Sequence, residues 1–437
     1  MAHIKKWAVY GLVVPFVMLV VWIYGLGWLS VLPLSAASCL SVSRIRACRL
    51  AELKYEYTYI EVTTYLEQLL CSYRRLGHAG KALEDCRLLF EADSPMGRAI
   101  GQAKHILLTG EGVPDGDILS AAFACIESLY DSRRMRIVHK FICNGDKTGA
   151  ESGRSADILL EDLELWKNRT RLYQNRKKFI KIECGIATGL SLLLCYVSRL
   201  LTPEELGFDI SESVVYRLST VGVFILFLAI LVKIFRKLSG SWLDERGKRE
   251  KYEMDQLERM YRVLRGEETA SPLTRHMAKR IAARYVRVEF PYWLLLVTLY
   301  LQSESSYQAL RYSLEETEGI FRLELERLLQ EIYDSPRSLE PYIGFFSGLG
   351  LSEVQSGMKI LYSVNNNGYE ESKKQLDFLI SQNNRLMDKN ESGHHSNKMA
   401  AMSMLKQLPM VVSCLKLLID LVNLLAVTMG SFQNINL

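Results

Sequence analysis

The sequence predicts an all-α integral membrane protein with two cytoplasmic six-helix bundle domains, each leading into transmembrane helices. Three observations predict it. Apolar runs stand at the start, the middle and the end of the chain, with long charged stretches between them. Those stretches repeat their apolar residues at helical spacing and lack the alternation of a half-buried strand. The two middle runs, residues 182–197 and 218–232, have basic outer flanks and an acidic connection. That is the charge pattern of a membrane hairpin with both outer ends in the cytoplasm.

The composition bounds the answer. A chain of 437 residues has room for two or three domains. Its mean hydropathy is near zero. That fits long soluble blocks punctuated by a few spans, rather than a polytopic transporter or an ordinary soluble enzyme. The net charge is +5, and the excess stands beside the spans. Lys167, Arg169, Arg171, Arg176, Lys177, Lys178 and Lys181 precede the first middle run; Lys233, Arg236 and Lys237 follow the second. Such flanks set topology and favour anionic membrane lipid. No basic stripe is interleaved with aromatics, so no nucleic-acid partner is expected. The nine cysteines never form a CxxC pair and sit inside apolar helical patterns, as expected of a reduced, cytoplasm-facing chain.

In chain order, residues 1–43 form an N-terminal transmembrane segment. A secretory signal is the rival reading, with Ala36-Ala37-Ser38-Cys39 resembling a lipoprotein cleavage site. The apolar run is far longer than the roughly 7–15 residues of a signal core. It is either one tilted helix or two short spans turning at Gly25–Gly27, and the residues leave both open. Residues 44–181 form the first bundle. Its helices fall over 55–75, 82–90, 96–108, 118–129 and 135–143, followed by a turn at 144–153 and a long sixth helix from about Ser155. Asp117 and either Asp131 or Ser132 can cap the fourth and fifth helices. Pro95 suits the first turn of the third.

Residues 182–236 are the hairpin, with Glu204, Glu205, Asp209 and Glu212 on its connection beside Arg199 and Arg217. Each strictly apolar run is shorter than the roughly 20 residues that span a bilayer. They reach that length when 179–180 and 214–216 join them; a buried soluble hairpin is the alternative. Residues 237–286 make a charged helical connector that continues from the span, with Gly266 ending it and Ser271-Pro272 marking a boundary. Residues 287–407 repeat the first layout: helices at 290–301, 309–314, 320–332, 339–346 and 351–364, a turn at 365–368, and a long helix from Glu370. Residues 408–437 are the last span and tail. Two blocks of the same pattern suggest an internal duplication.

On these residues the chain resembles the F-type domain family, the inner-membrane platform proteins of type II secretion, type IV pilus and tight-adherence pilus machines. Besides the layout, short motifs carry the resemblance. Gly77-His78-Ala79-Gly80-Lys81-Ala82-Leu83 matches the family's helix motif, and Ser305-Ser306-Tyr307-Gln308-Ala309-Leu310 matches it without the glycine. Gly145-Asp146-Lys147-Thr148-Gly149 fits the turn motif before the long helix, whose second copy at 367–371 is degenerate. From the residues themselves, Gly145 and Gly149 would supply turn angles. Asp146 and Thr148 would cap the following helix.

The resemblance implies a non-enzymatic platform without cofactors. Its partners would be a separate secretion or pilus ATPase and pilins or pseudopilins. It would be a homo-oligomer or pair with a sister platform protein, in the inner membrane of a bacterium. The alternative is a membrane-anchored helical scaffold or signalling protein that dimerises without a motor.

No phosphate loop, HExxH, GxSxG or Cys/His zinc cluster occurs. His394-His395 beside Glu391 is the one ligand-like group, in a polar stretch. The unusual feature is Lys416 and Asp420 inside the last span, four residues apart and so on one helix face. An ionisable pair in a span marks a functional-site hypothesis. It would be either a polar seam against another span or a pilin helix, or a self-neutralised pair that fixes helix rotation.

Overall fold

The computed structural model describes residues 2–110, 117–130, 132–148, 153–200, 211, 213–240, 242–243, 250–266, 269, 271–366 and 369–435, and every regular element among them is helical. In order these are α1 (Ala2–Tyr24), α2 (Val31–Leu76), α3 (Ala79–Arg87), α4 (Pro95–Thr109), α5 (Ile118–Leu129) and α6 (Arg133–Thr148). Then come α7 (Gly153–Leu200), α8 (Val214–Leu238), α9 (Glu250–Arg265), α10 (Pro272–Tyr300) and α11 (Ser306–Glu315). The last are α12 (Gly319–Asp334), α13 (Glu340–Gly344), α14 (Ser352–Asn366), α15 (Tyr369–Leu405) and α16 (Leu408–Ile435).

Local chemistry starts many of these helices. Ser94, Asp117, Ser271 and Ser305 each accept a hydrogen bond from a backbone N–H three residues on, at 3.0–3.3 Å. Pro95 and Pro272 occupy first-turn positions, where a missing N–H costs nothing. Gly110 closes α4 in the left-handed region.

The chain folds as two compact units. One comprises Met1–Tyr57, Arg171–Trp242 and His395–Leu437. Four helices are long and apolar enough to cross a membrane: Trp28–Leu76, Gly153–Val197, Val214–Leu238 and Met399–Ala426. In each apolar window 28% of residues or fewer are buried inside the protein, so most of that surface needs an apolar solvent. This disfavours the buried soluble hairpin. The helix α8 has 25 residues, about 37 Å at the helical rise of about 1.5 Å, more than the roughly 30 Å of a bilayer core.

Backbone geometry divides the N-terminal apolar segment into two helices. The chain breaks at Gly25 and Gly27, with φ of +64° and +72°, angles that glycine alone takes freely. Thus α1 and α2 are separate helices. Their turn lies against the α7–α8 side of the unit: a Cβ on Gly25 would stand 2.9 Å from that of Ser211, and Arg199 donates to the Ile23 carbonyl. Tyr24 donates to the Leu192 carbonyl at 2.7 Å and meets Phe224 edge to face. At the opposite end Lys181 pairs with Glu52 at 2.6 Å and Lys406 with Glu183 at 2.6 Å.

The other unit comprises Thr58–Thr170 and Leu243–His394. Here three expectations are corrected. The stretches 44–181 and 287–407 are not delimited as two bundles; their globular parts share this one unit, for reasons given below. The first helix of the block is not separate from the N-terminal apolar segment, because α2 runs unbroken for 46 residues. The connector does not continue the span: α8 ends at Leu238, Ser239 takes an extended conformation, and α9 begins at Glu250. Leu257 and Tyr261 of α9 instead bury themselves in one core with Val286, Phe290, Phe321 and Phe346, so Ser271-Pro272 marks a turn within that core. Trp293 stacks on Phe345 at 5.3 Å, and its indole N–H donates to Ser313 at 3.1 Å. The acidic connection at 204–205, 209 and 212 lies outside the described residues.

Candidate functional site

The Lys416–Asp420 pair of the last apolar helix is the first candidate. Lys416 and Asp420 stand on one face of α16, and their side chains are 0% and 3% exposed. Lys416 donates to Asp420 Oδ2 across one helical turn. The Lys416 ammonium also lies 4.0 Å from the centre of the Tyr216 ring on α8, a cation–π contact that offsets part of its desolvation. The seam continues along α16. Asn423 Nδ2 donates to Ser213 Oγ at 3.0 Å, and Ser413 Oγ donates to the Ser191 carbonyl of α7 at 3.1 Å. The polar face of α16 is therefore turned onto α7 and α8 of the same chain, while Leu418 and Val422 face outward. Asp420 Oδ1 is buried without a hydrogen-bond partner among the described residues.

The turn motif is placed differently from the expectation. Residues 145–148 are the last turn of α6, and Gly149 lies outside the described residues. Gly145 is helical, and its lack of a side chain serves a close approach: a Cβ there would meet the Tyr73 hydroxyl at 2.4 Å. Among the described residues Asp146 makes no cap to the helix that follows. Its Oδ1 accepts from the Ala79 N–H of α3 at 3.2 Å, an N-terminal cap supplied from 67 residues away. The motif thus locks the end of α6 onto α2 and α3. Periodicity could not show this, because glycine reads the same in a turn and at a close contact.

The helix motif is a core anchor. Ala82 and Leu83 of α3, and Ala309 and Leu310 of α11, are all buried at 1% exposure or less. Each pair lies in the first short helix after a long one, α2 and α10 respectively. Nothing approaches the Cβ position of Gly80, and the structure gives no reason for glycine there.

A second polar cluster went unseen in the sequence. Arg134 of α6 donates to Asp162 of α7 at 3.0 Å and to Glu391 of α15 at 2.8 Å. Arg169 of α7 contacts Glu391 at 2.7 Å and Asp162 at 3.8 Å. Tyr292 of α10 donates to Glu391 at 3.2 Å, and Arg134 lies over the Trp166 ring at 4.8 Å. Two cations and two anions balance, as burial of charge requires. Burial alone would raise the Glu391 carboxyl, but Arg134 and Arg169 outweigh it and hold it below the usual carboxylate range. Around this cluster Arg133 grips Glu289 through two hydrogen bonds at 2.5 and 2.9 Å, and Lys140 pairs with Glu316. Of these contacts Arg134–Glu391, Arg169–Glu391, Arg133–Glu289 and Lys140–Glu316 join Thr58–Thr170 to Leu243–His394, the two halves of one unit.

The cluster also revises the basic flank. Arg169 is committed to Glu391 and Asp162, Lys167 pairs with Glu67 at 2.7 Å, and Lys181 pairs with Glu52, so part of that charge is spent inside the protein. Glu391 is an ion-pair partner of Arg134 and Arg169, and the side chains of His394 and His395 lie outside those described. No group of three metal-ligating residues occurs among the described residues. Compared with known protein families, characterised proteins and solved structures, the chain matches none.

Proposed function

We propose that the protein is a non-enzymatic membrane platform for assembly of a type IV or tight-adherence-like pilus, or of a type II secretion pseudopilus. On this reading it lies in the inner membrane of a bacterium, with Thr58–Thr170 and Leu243–His394 in the cytoplasm. A separate secretion ATPase engages that unit, and pilins or pseudopilins are drawn from the bilayer beside the spans. The protein works as a homo-oligomer or with a sister platform chain.

One observation supports a mechanical role most directly. The long helices α7 and α15 each contribute residues to both compact units, and within Thr58–Thr170 and Leu243–His394 they are tied to each other. The tie is the buried Arg134–Asp162–Arg169–Glu391 cluster, reinforced by the Arg154–Asp377 pair. A load on either half is then shared by both helices, since buried ion pairs break only at a cost of several kcal/mol, roughly 3–5. The seam around Lys416 and Asp420 fixes how α16 sits against α7 and α8.

Truncation at Asn365 removes α15 and α16 and is expected to abolish filaments. Pull-down of the full chain should return a secretion ATPase and pilins. A normal filament count after truncation, or recovery of regulators alone, would replace this reading with that of a membrane-anchored scaffold.

A further inference from the structure

We propose that a basic groove between α9, the first turns of α10, α12 and the loop at 344–349 is a binding site for a small phosphorylated ligand. The groove has a volume of about 620 Å³, within the roughly 300–1,000 Å³ of small-molecule sites. Its lining carries Arg265, Arg275, Lys279 and Arg327 with one acid, Glu324, and His276 beside them; counting also Glu331, which pairs with Arg327, four positive and two negative charges leave +2.

The acid is already spent. Glu324 is 1% exposed, lies 3.1 Å from Arg327, and bonds the Tyr261 hydroxyl. Arg327 is held further by Glu331 at 3.2 Å and the Gly344 carbonyl at 3.1 Å. Arg275 and Lys279 are left. They stand one helical turn apart on α10, exposed, and pair with no carboxylate among the described residues. Like charges at that spacing repel, and an anion between them removes the repulsion.

A second feature of the same wall points the same way. Phe346 holds φ at +50°, the one positive value outside glycine among the described residues. Its ring is fixed by Phe321 at 4.9 Å, Phe345 at 4.7 Å and Tyr261 at 5.9 Å. Backbone strain of this kind persists where packing over-determines it, and it clusters at ligand clamps. Arginine and lysine suit phosphate oxygens, while Leu264, Phe346 and Leu349 offer an apolar wall for the rest of the ligand. A phosphorylated small molecule or a phospholipid headgroup presents both parts.

The test uses the full chain in detergent, with inorganic pyrophosphate and ATP as probes in equilibrium dialysis at matched ionic strength. A third arm uses nanodiscs with or without phosphatidylglycerol and reads retained lipid by native mass spectrometry. Gly348 has open space before its Cβ position, so Gly348→Glu places a carboxylate in the groove and Gly348→Ala controls for folding. Saturable binding is expected, weakened about tenfold or more by Gly348→Glu and by the double variant Arg275→Glu/Lys279→Glu. It should persist in Gly348→Ala and in Arg322→Glu, which lies outside the groove. Binding of pyrophosphate or ATP assigns a free phosphate, and retention of phosphatidylglycerol alone assigns a headgroup. No saturable binding of any probe, or equal binding in both charge variants, overturns the site.

Discussion

Two of the protein's buried charge clusters solve the problem of burial differently. Lys416 and Asp420 are neighbours on one helix, so each satisfies the other before any tertiary contact forms. Tyr216 then only has to cover the ammonium. Arg134, Asp162, Arg169 and Glu391 come from three helices, and two of the bonded residues are 257 positions apart. Neither contact of Glu391 exists until α15 is packed against α6 and α7. The first arrangement stabilises a face of a helix; the second makes the two halves of a unit depend on each other.

That difference can be broken most forcefully at Glu391. Glu391→Ala leaves Arg134 and Arg169 buried with one acid between them, at a cost of about 3–5 kcal/mol. The full chain in detergent should lose that much in denaturant unfolding, and limited proteolysis should cut between its halves. A loss below about 1 kcal/mol would mean the cluster does not hold them together.

The local pair answers to a double substitution. Asp420→Ala alone strands Lys416, with a loss of the same class, about 3 kcal/mol. Replacing both as Lys416→Leu and Asp420→Leu removes the charges together and should return stability to within about 1 kcal/mol of the parent, because apolar replacement of a buried pair is often neutral. If filaments then form normally, the pair only sets helix rotation. If the double variant is stable yet makes no filaments, the seam takes part in assembly.

The end of α6 sharpens the contrast at smaller scale. Gly145→Ala drives a methyl into the Tyr73 hydroxyl and should cost about 1–3 kcal/mol, as overpacking does. A turn glycine at the same place would instead tolerate alanine or fail through backbone strain; the partner variant Tyr73→Phe, which opens that space, distinguishes them by restoring stability.

The smallest effect is a pH dependence. His139 is buried between Tyr65, at 2.9 Å from its Nε2, and Glu127, at 2.8 Å from its Nδ1, with Phe123 stacked at 4.1 Å. Burial pushes the imidazole below its ordinary value of 6.5, although Glu127 opposes the shift. The unfolded chain therefore binds a proton that the folded chain resists. This contribution to stability is complete above about pH 6.5 and is lost as the pH falls toward the folded value, by no more than about 1.4 kcal/mol per pH unit. His139→Gln should flatten that part of the unfolding profile between pH 6.5 and 5, and an unchanged slope would assign it elsewhere.

What the sequence alone determined is local. Helical spacing marked the helices; Pro95 and Asp117 marked starts, and Gly25 and Gly27 marked a possible break. The flanking charges marked the membrane runs, and the four-residue spacing of Lys416 and Asp420 marked their pairing. Each of these signals is complete within a turn or two of backbone, so one stretch of chain carries it whole. Tertiary structure decided the rest. It broke the N-terminal segment into α1 and α2 at Gly25 and Gly27, put Gly145 in a helix against Tyr73, and sent Asp146 to cap α3. It also drew Arg169, from the basic flank, and Glu391 into one cluster with Arg134 and Asp162. Charges of that kind are interchangeable on the page, because their partners are set by which helix faces meet and not by their spacing along the chain.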